Sequence, residues 1–432
     1  MMQFTEIPPF LPMNNNNNQI LTTRARPWPS FPTPKPPGPS TSGDSNCMEQ
    51  LLVHCATAIE SNDATLAQQI LWVLHNLAPP DGDSSQRLTS AFLRALIHRA
   101  ANSKLLTAMP NSGDLTAVSS HKFSIIELAS FVDLTPYHRF GFTAANSAII
   151  DAIDKYSIVH IVDLSLTHGM QIPTLIDSIA GRAWTGPDPP LIKLTVAGST
   201  EDYPPMLDLS YDELGSKLVN FARSKNVVLE FRVIPSSSSN GFSSLIDHLR
   251  LQQLLRSEIK EALIVNCHMM LHYVPENNSY RTNFIESLRS LNPTMVVLVD
   301  EDADFMSNDL VSRLRSAYNY LWIPYDNVDA LLAKGSKQRE WYEADICWKI
   351  ENVIAHEGAR RVERLETKSK WVERMRNAGF GGVGFGEDAI NEVKSMLDEH
   401  AAGWGMKKEE GDHVVLTWKG HNVVFATAWV PV

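Results

Sequence analysis

The stretch Val159-His160-Ile161-Val162-Asp163-Leu164-Ser165-Leu166-Thr167-His168-Gly169-Met170-Gln171 decides the fold. Its first part is a β-branched run that ends on an acid, and its second part turns. A strand buried on both faces reads this way. Similar apolar runs lie at residues 191–196, 227–233, 262–265 and 295–299. Helical periodicity separates them at 175–180, 214–222, 245–255 and 284–291. Short strands alternating with helices predict a parallel sheet covered on both faces.

Longer helical patterns follow at 310–321, 338–356 and 368–378. The end of the chain changes character. Residues 414–418 and 423–429 are apolar and flank Lys419-Gly420-His421-Asn422, which reads as an antiparallel hairpin. The class is therefore α/β. Five parallel strands plus a C-terminal antiparallel hairpin are the plan of a Rossmann-like, methyltransferase-type sheet. Upstream, Leu51, Leu52, Cys55, Ile59, Leu66, Ile70, Val73, Leu74 and Leu77 recur at helical spacing, and more helices follow at 88–97, 124–132 and 144–153. These predict an α-helical cap.

Residues 1–46 differ from the rest. They hold Asn14 to Asn18 and ten of the 25 prolines, and predict a disordered, partly polyproline tail. The body from residue 47 holds 35 basic and 47 acidic residues, a formal −12. That excess argues against a uniformly basic nucleic-acid coat. Cys47, Cys55, Cys267 and Cys347 form no CxxC pair, which argues against a disulfide scaffold or a thiolate zinc site. The first residues carry no basic segment before an apolar stretch, and no apolar run reaches the ~18 residues of a membrane helix. No secretory leader and no membrane contact are expected.

An enzyme with this sheet needs a glycine-rich turn after the first strand, so that backbone can approach a cofactor. The turn positions hold Ser165, Thr167 and Gly169, so one glycine of three is present. Thr is poorly suited to a left-handed or closely approached position. No cofactor is expected. His268 and His272 are four apart but have no third ligand placed by sequence, and read as core or surface histidines. Asp300-Glu301-Asp302-Ala303-Asp304 reads as a solvated helix entry, with magnesium binding the alternative.

Val159, His160, Ile161, Val162 and Asp163 resemble the VHIID motif of the GRAS domain family of plant transcription regulators. Phe142-Thr143-Ala144-Ala145-Asn146-Ser147-Ala148-Ile149 resembles its upstream FTANQAI-type helix, and His168-Gly169-Met170-Gln171 its next turn. Val265-Asn266 with Leu271-His272 resembles VNxxxxLH, and Pro293 with Val296 to Val299 resembles PKVVxLVExE. Arg361-Val362-Glu363-Arg364-Leu365-Glu366 is similar to RVERHE, and Trp404, Trp418 and Trp429 to the tryptophans of the SAW ending. Trp348-Lys349 stands where the family carries an Arg-Glu pair, and Thr427 opens the final motif in place of Ser.

The resemblance covers residues 47–430. It implies leucine repeat I at 47–109, the VHIID region at 125–198, leucine repeat II at 213–256, PFYRE at 260–352 and SAW at 353–430. It also implies a helical cap on an α/β core, a nuclear regulator without enzymatic activity, and transcription factors, other GRAS proteins or a second copy as partners. DNA is a further candidate partner. Arg360, Arg361, Arg364, Lys368, Lys370, Arg374 and Arg376 form a local basic excess, read as a helix face with a salt-bridged role or a phosphate-contacting one. Asp163 is expected to cap the following turn, and His160 and the three tryptophans to sit in the core. An S-adenosylmethionine-dependent methyltransferase and a non-transcriptional scaffold are the alternative readings.

Overall fold

The five apolar runs form strands β1 (Ile158–Asp163), β2 (Leu191–Gly198), β3 (Leu229–Pro235), β4 (Glu261–His268) and β5 (Met295–Glu301) in a computed structural model. The described residues are 41–103, 121–165, 169–184, 189–199, 201, 203–255, 261–275, 279–409, 411 and 413–432. These strands pair in parallel in the order β3-β2-β1-β4-β5.

Four strands complete one mixed sheet: β6 (Phe380–Val383), β7 (Trp404–Lys408), β8 (Val414–Trp418) and β9 (His421–Pro431). β9 lies antiparallel to β5 and pairs on its other side with β8 and then β6, while β7 edges β8. The sheet thus has nine strands, two more than the sequence pattern predicts. β6 and β7 hide because Gly381, Gly382 and Gly405 interrupt any apolar alternation. The β8–β9 hairpin turns at Lys419 and Gly420, both at positive φ (48° and 86°), as a tight two-residue turn requires.

Period-two alternation separates the two faces of the sheet. Ile161, Ile264, Val297 and Val299 meet one core, which also receives α1 (Thr41–Glu60), α2 (Ala64–Leu77), α3 (Ser84–Asn102), α4 (Ile125–Asp133), α5 (Pro136–Ile153), α6 (Gln171–Gly181) and α7 (Tyr211–Ser224). Val162, Val265, Val296 and Leu298 meet the other, under α8 (Ser243–Leu255) and α9 (Tyr280–Ser290). α10 (Leu310–Leu331) and α11 (Lys337–Ala355) pack against α3; α12 (Lys368–Asn377) covers the second face, and α13 (Glu387–Asp398) packs on α5. Capping boxes at Asp83, Ser124 and Ser210 start α3, α4 and α7.

Two expectations change. α1 begins at Thr41, so residues 41–46 belong to a helix; Pro39 is the last proline of that region, and no proline breaks helix after it. The rest of the expected tail, and residues 104–109 of leucine repeat I, lie outside the described residues. α10 continues past the expected end at 321 and through Pro324, because Tyr325 and Val328 are buried on the following turn. Among the described residues, no helix is long and apolar enough to cross a membrane.

Candidate functional site

β1 delivers Asp163 to the carboxyl edge of the sheet, beside Asn266 of β4, where the strand order reverses direction. Open α/β sheets bind ligands at such a crevice. Here the polar groups first bind one another. Asn266 Nδ2 donates to Asp163 Oδ1 (2.8 Å) and to Gln171 Oε1 (3.0 Å). Gln171 Nε2 donates to Asn146 Oδ1 (2.9 Å), and Asn146 Nδ2 to Thr174 Oγ1 (2.9 Å). Ser165 Oγ donates to Asp163 Oδ2 (3.0 Å), and the Ser165 backbone also bonds this carboxylate, so Asp163 does cap its turn. Burial pushes the Asp163 carboxyl above its ordinary value, while Asn266 and Ser165 pull it back. One network thus joins residues from four motifs that lie 146, 163, 171 and 266 along the chain. Thr167 and His168 lie outside the described residues.

The remaining VHIID side chains are core. Val159, Ile161 and Val162 are buried, and His160 Nε2 bonds Thr195 Oγ1 at 2.8 Å inside the sheet. Trp418 and Trp429 are buried too. Trp418 Nε1 donates to Asp326 Oδ2 (2.7 Å) and Trp429 Nε1 to Thr427 Oγ1 (2.9 Å). Trp404 is half-buried, its ring 4.8 Å from that of Trp418 and 5.6 Å from that of Tyr137.

A second buried cluster surrounds the carboxyl end of β5. Asp300 and Glu301 are buried strand residues, which corrects the expected solvated helix entry; the next helix starts only at Leu310, with Asp309 as its cap. His272 Nδ1 donates to Asp300 (2.9 Å), and its Nε2 lies 3.6 Å from Glu363. Tyr273 Oη donates to Glu363 (2.7 Å). Lys349 pairs with Glu301 and lies 3.8 Å from Glu363. Burial opposes the charged form of Lys349, yet Glu301 and Glu363 hold its pKa above the usual value. His268 packs instead on Phe142 and His138, so His268 and His272 point to different surroundings. Among the described residues, no group of three His, Cys, Asp or Glu side chains is arranged to hold a metal.

Asp345 lines the small cavity beside this cluster. Burial first, then Glu363 and Glu301, push its carboxyl up to about 7 against the pull of Lys349. A raised carboxyl contributes full stability below its unfolded value and loses it as pH rises through the folded value. Asp345→Asn is therefore expected to match the parent below about pH 4. It should gain progressively to about 2 kcal/mol above pH 7, partial solvent contact being allowed for. Urea unfolding at several pH values measures this. A variant no more stable at pH 8 than at pH 4, relative to the parent, contradicts it.

The basic segment is not one helix. A 3₁₀ turn at Gly358–Arg360 leads into an extended stretch before α12. This conformation buries Arg361, whose guanidinium donates to the carbonyls of Phe305 and Ser307 and to Asn308. Arg364 donates to the carbonyls of Arg361 and Gly358. Arg374 grips Glu366 through two bonds and lies over Trp371, and buried Lys368 pairs with Glu409. Arg360, Lys370 and Arg376 are exposed. Four of the seven cations, Arg361, Arg364, Lys368 and Arg374, thus make internal bonds.

Residues 48–430 match the model of the GRAS domain family. The chain belongs to that family. This GRAS chain is 59% identical over 414 residues to Scarecrow-like protein 32 of Arabidopsis thaliana, covering 93% of the chain and 97% of the relative. It is 29% identical to Protein SHORT-ROOT of the same plant, over 92% of the chain and 75% of the relative. Its fold is that of the SCL7 crystal structure from Oryza sativa, with a TM-score of 0.72 at 23% identity, over 88% of this chain and 99% of that one. Sequence reasoning missed how the GRAS motifs meet. It also missed Asp345 and Glu363 as partners of Lys349. The departure at Trp348-Lys349 was the available signal, since a lysine in a helix with buried neighbours demands an acid.

Proposed function

We propose that the chain is a nuclear transcription regulator that works mainly through protein contacts with transcription factors. Family membership over residues 48–430 supports this, and one structural observation carries the mode of action. The motif residues bond to one another in the interior, and four of the seven candidate DNA cations are committed internally. In this reading the motif chemistry holds the interior together, and recognition falls to the surface of the helical cap and sheet. Other GRAS chains, including a second copy, fit among its partners.

The test tethers the full chain to a promoter in plant cells. Altered reporter transcription is expected; unchanged output favours the scaffold reading. The triple variant Arg360→Glu, Lys370→Glu, Arg376→Glu is expected to leave reporter output and the salt dependence of any duplex binding unchanged. A salt slope reduced by about 0.9 for each contact removed would instead place these cations on phosphates.

The strand order supports a second reading. With β9 and β8 following β5, we read the sheet as the Rossmann-like methyltransferase plan, which leaves S-adenosylmethionine-dependent methyl transfer as the alternative. Transfer of labelled methyl groups from S-adenosylmethionine to nuclear proteins by the purified chain would favour it.

A further inference from the structure

We propose that the cavity at the carboxyl ends of β1 and β2 is a binding site for a phosphate-free nucleoside. The cavity measures about 240 Å³. That is just below the range of about 300–1,000 Å³ for drug-sized ligands, and gives room for a nucleoside but not a dinucleotide. It opens beside the point where the strand order reverses, the place at which α/β sheets take ligands.

Two carboxylates line it, Asp163 at the end of β1 and Glu201 after β2. An acid just past the second strand is where nucleotide-binding α/β folds hold ribose hydroxyls. Glu201 is already fixed: its Oε2 accepts from the Ser238 backbone (3.2 Å), Ser238 Oγ (2.9 Å) and Ser199 Oγ (3.4 Å). The loop that carries it is pinned by Tyr211 Oη, which accepts from Ser199 N (3.2 Å) and donates to Ala197 O (3.3 Å). Aromatic surface is also present. Tyr203 and Tyr273, which both line the cavity, stack at 4.2 Å and 3°. Such a wall suits a planar base.

The same residues exclude phosphate. A phosphate in the cavity would face Asp163 and Glu201, and Lys122 is the one cation among the described lining residues. The turn after β1 keeps one glycine, Gly169 (φ +71°), and so lacks the pattern that presents backbone N–H groups to a diphosphate. Phe242, which also lines the cavity, is held at φ +57°. A bulky residue adopts this region only where the surrounding structure imposes it, so the wall is held in shape.

The proposal requires no methyl transfer and does not depend on the regulator reading. Calorimetric titration of the full chain with adenosine, S-adenosylmethionine and AMP tests it. Adenosine and S-adenosylmethionine are expected to bind with Kd on the order of 0.1 mM or tighter, and AMP at least tenfold more weakly. Ala197→Leu, which fills the cavity, and Glu201→Gln, which keeps the side-chain shape, should each weaken adenosine at least tenfold. Melting curves report folding, and Glu201→Gln carries the test if Ala197→Leu does not fold. No heat from adenosine or S-adenosylmethionine at millimolar concentration, equal binding of AMP, or full binding by Glu201→Gln would each overturn the proposal. None of these outcomes changes the tethered-reporter result.

Discussion

Lys349→Met is expected to destabilise the folded chain by about 3–5 kcal/mol at neutral pH, seen as a lower urea midpoint. Lys349 stands on α11 with only 14% of its side chain exposed, paired with Glu301 and close to Glu363. Glu301 and Glu363 are 7% and 1% exposed. Methionine keeps most of the volume and removes the charge. What remains is three buried acids, Asp300, Glu301 and Glu363, around His272, with half-buried Asp345 lining the same cavity. Breaking a buried pair on one side costs more than replacing both sides, because the survivor stays desolvated. The deficit has a pH signature. Stranded carboxylates acquire raised folded pKa values, so their penalty is present at high pH and relieved as they protonate. The gap between parent and variant should therefore narrow from pH 8 towards pH 5. The double variant Lys349→Met, Glu301→Gln should recover part of the loss, since it removes one acid with its partner. A deficit below 1 kcal/mol that does not vary with pH would mean that water already screens the cluster.

The contrast between β1 and β5 shows what the sequence made legible. β1 is visible because it is apolar on both faces and ends on one acid at a turn, and the structure places Asp163 at the strand end as read. β5 is equally visible as a strand, but its two terminal acids look like ordinary surface. Their burial depends on β9 pairing along Val296 to Glu301, and on the segment around Glu363 folding back over them. These contacts join residues more than 60 positions apart, and local periodicity carries no trace of them. Arg361 fails for the same reason. Charge and spacing suggest a helix face, whereas the main chain is extended there and aims its guanidinium at carbonyls of the 305–308 loop. The polar network is an intermediate case. Each of Asn146, Asp163, Gln171 and Asn266 belongs to a motif that the sequence displays, but only the sheet order brings them together.

Trp418→Ala is expected to be as damaging, about 3–5 kcal/mol, through loss of packing and creation of a cavity. Trp418 is 1% exposed on β8, directly paired with Trp404 of the edge strand β7. Gly403 sits beneath it at φ +122°, and a Cβ there would lie 3.0 Å from the indole, so the two positions are matched in shape. The indole N–H also ties β8 to Asp326 of α10, an acid shared with Lys419. Alanine removes the ring, the bond across to α10 and the surface on which Trp404 rests. Trp418→Phe keeps an aromatic ring and loses the bond, and should cost about 1–2 kcal/mol. The ratio of the two losses separates packing from hydrogen bonding. It also separates folding from recognition, since a side chain this buried in the chain cannot meet a partner without moving. Reporter activity lost by Trp418→Ala should therefore follow the unfolded fraction and return on cooling below the variant's melting temperature. Lost activity with an unchanged urea midpoint would show instead that Trp418 leaves the core to make its contact.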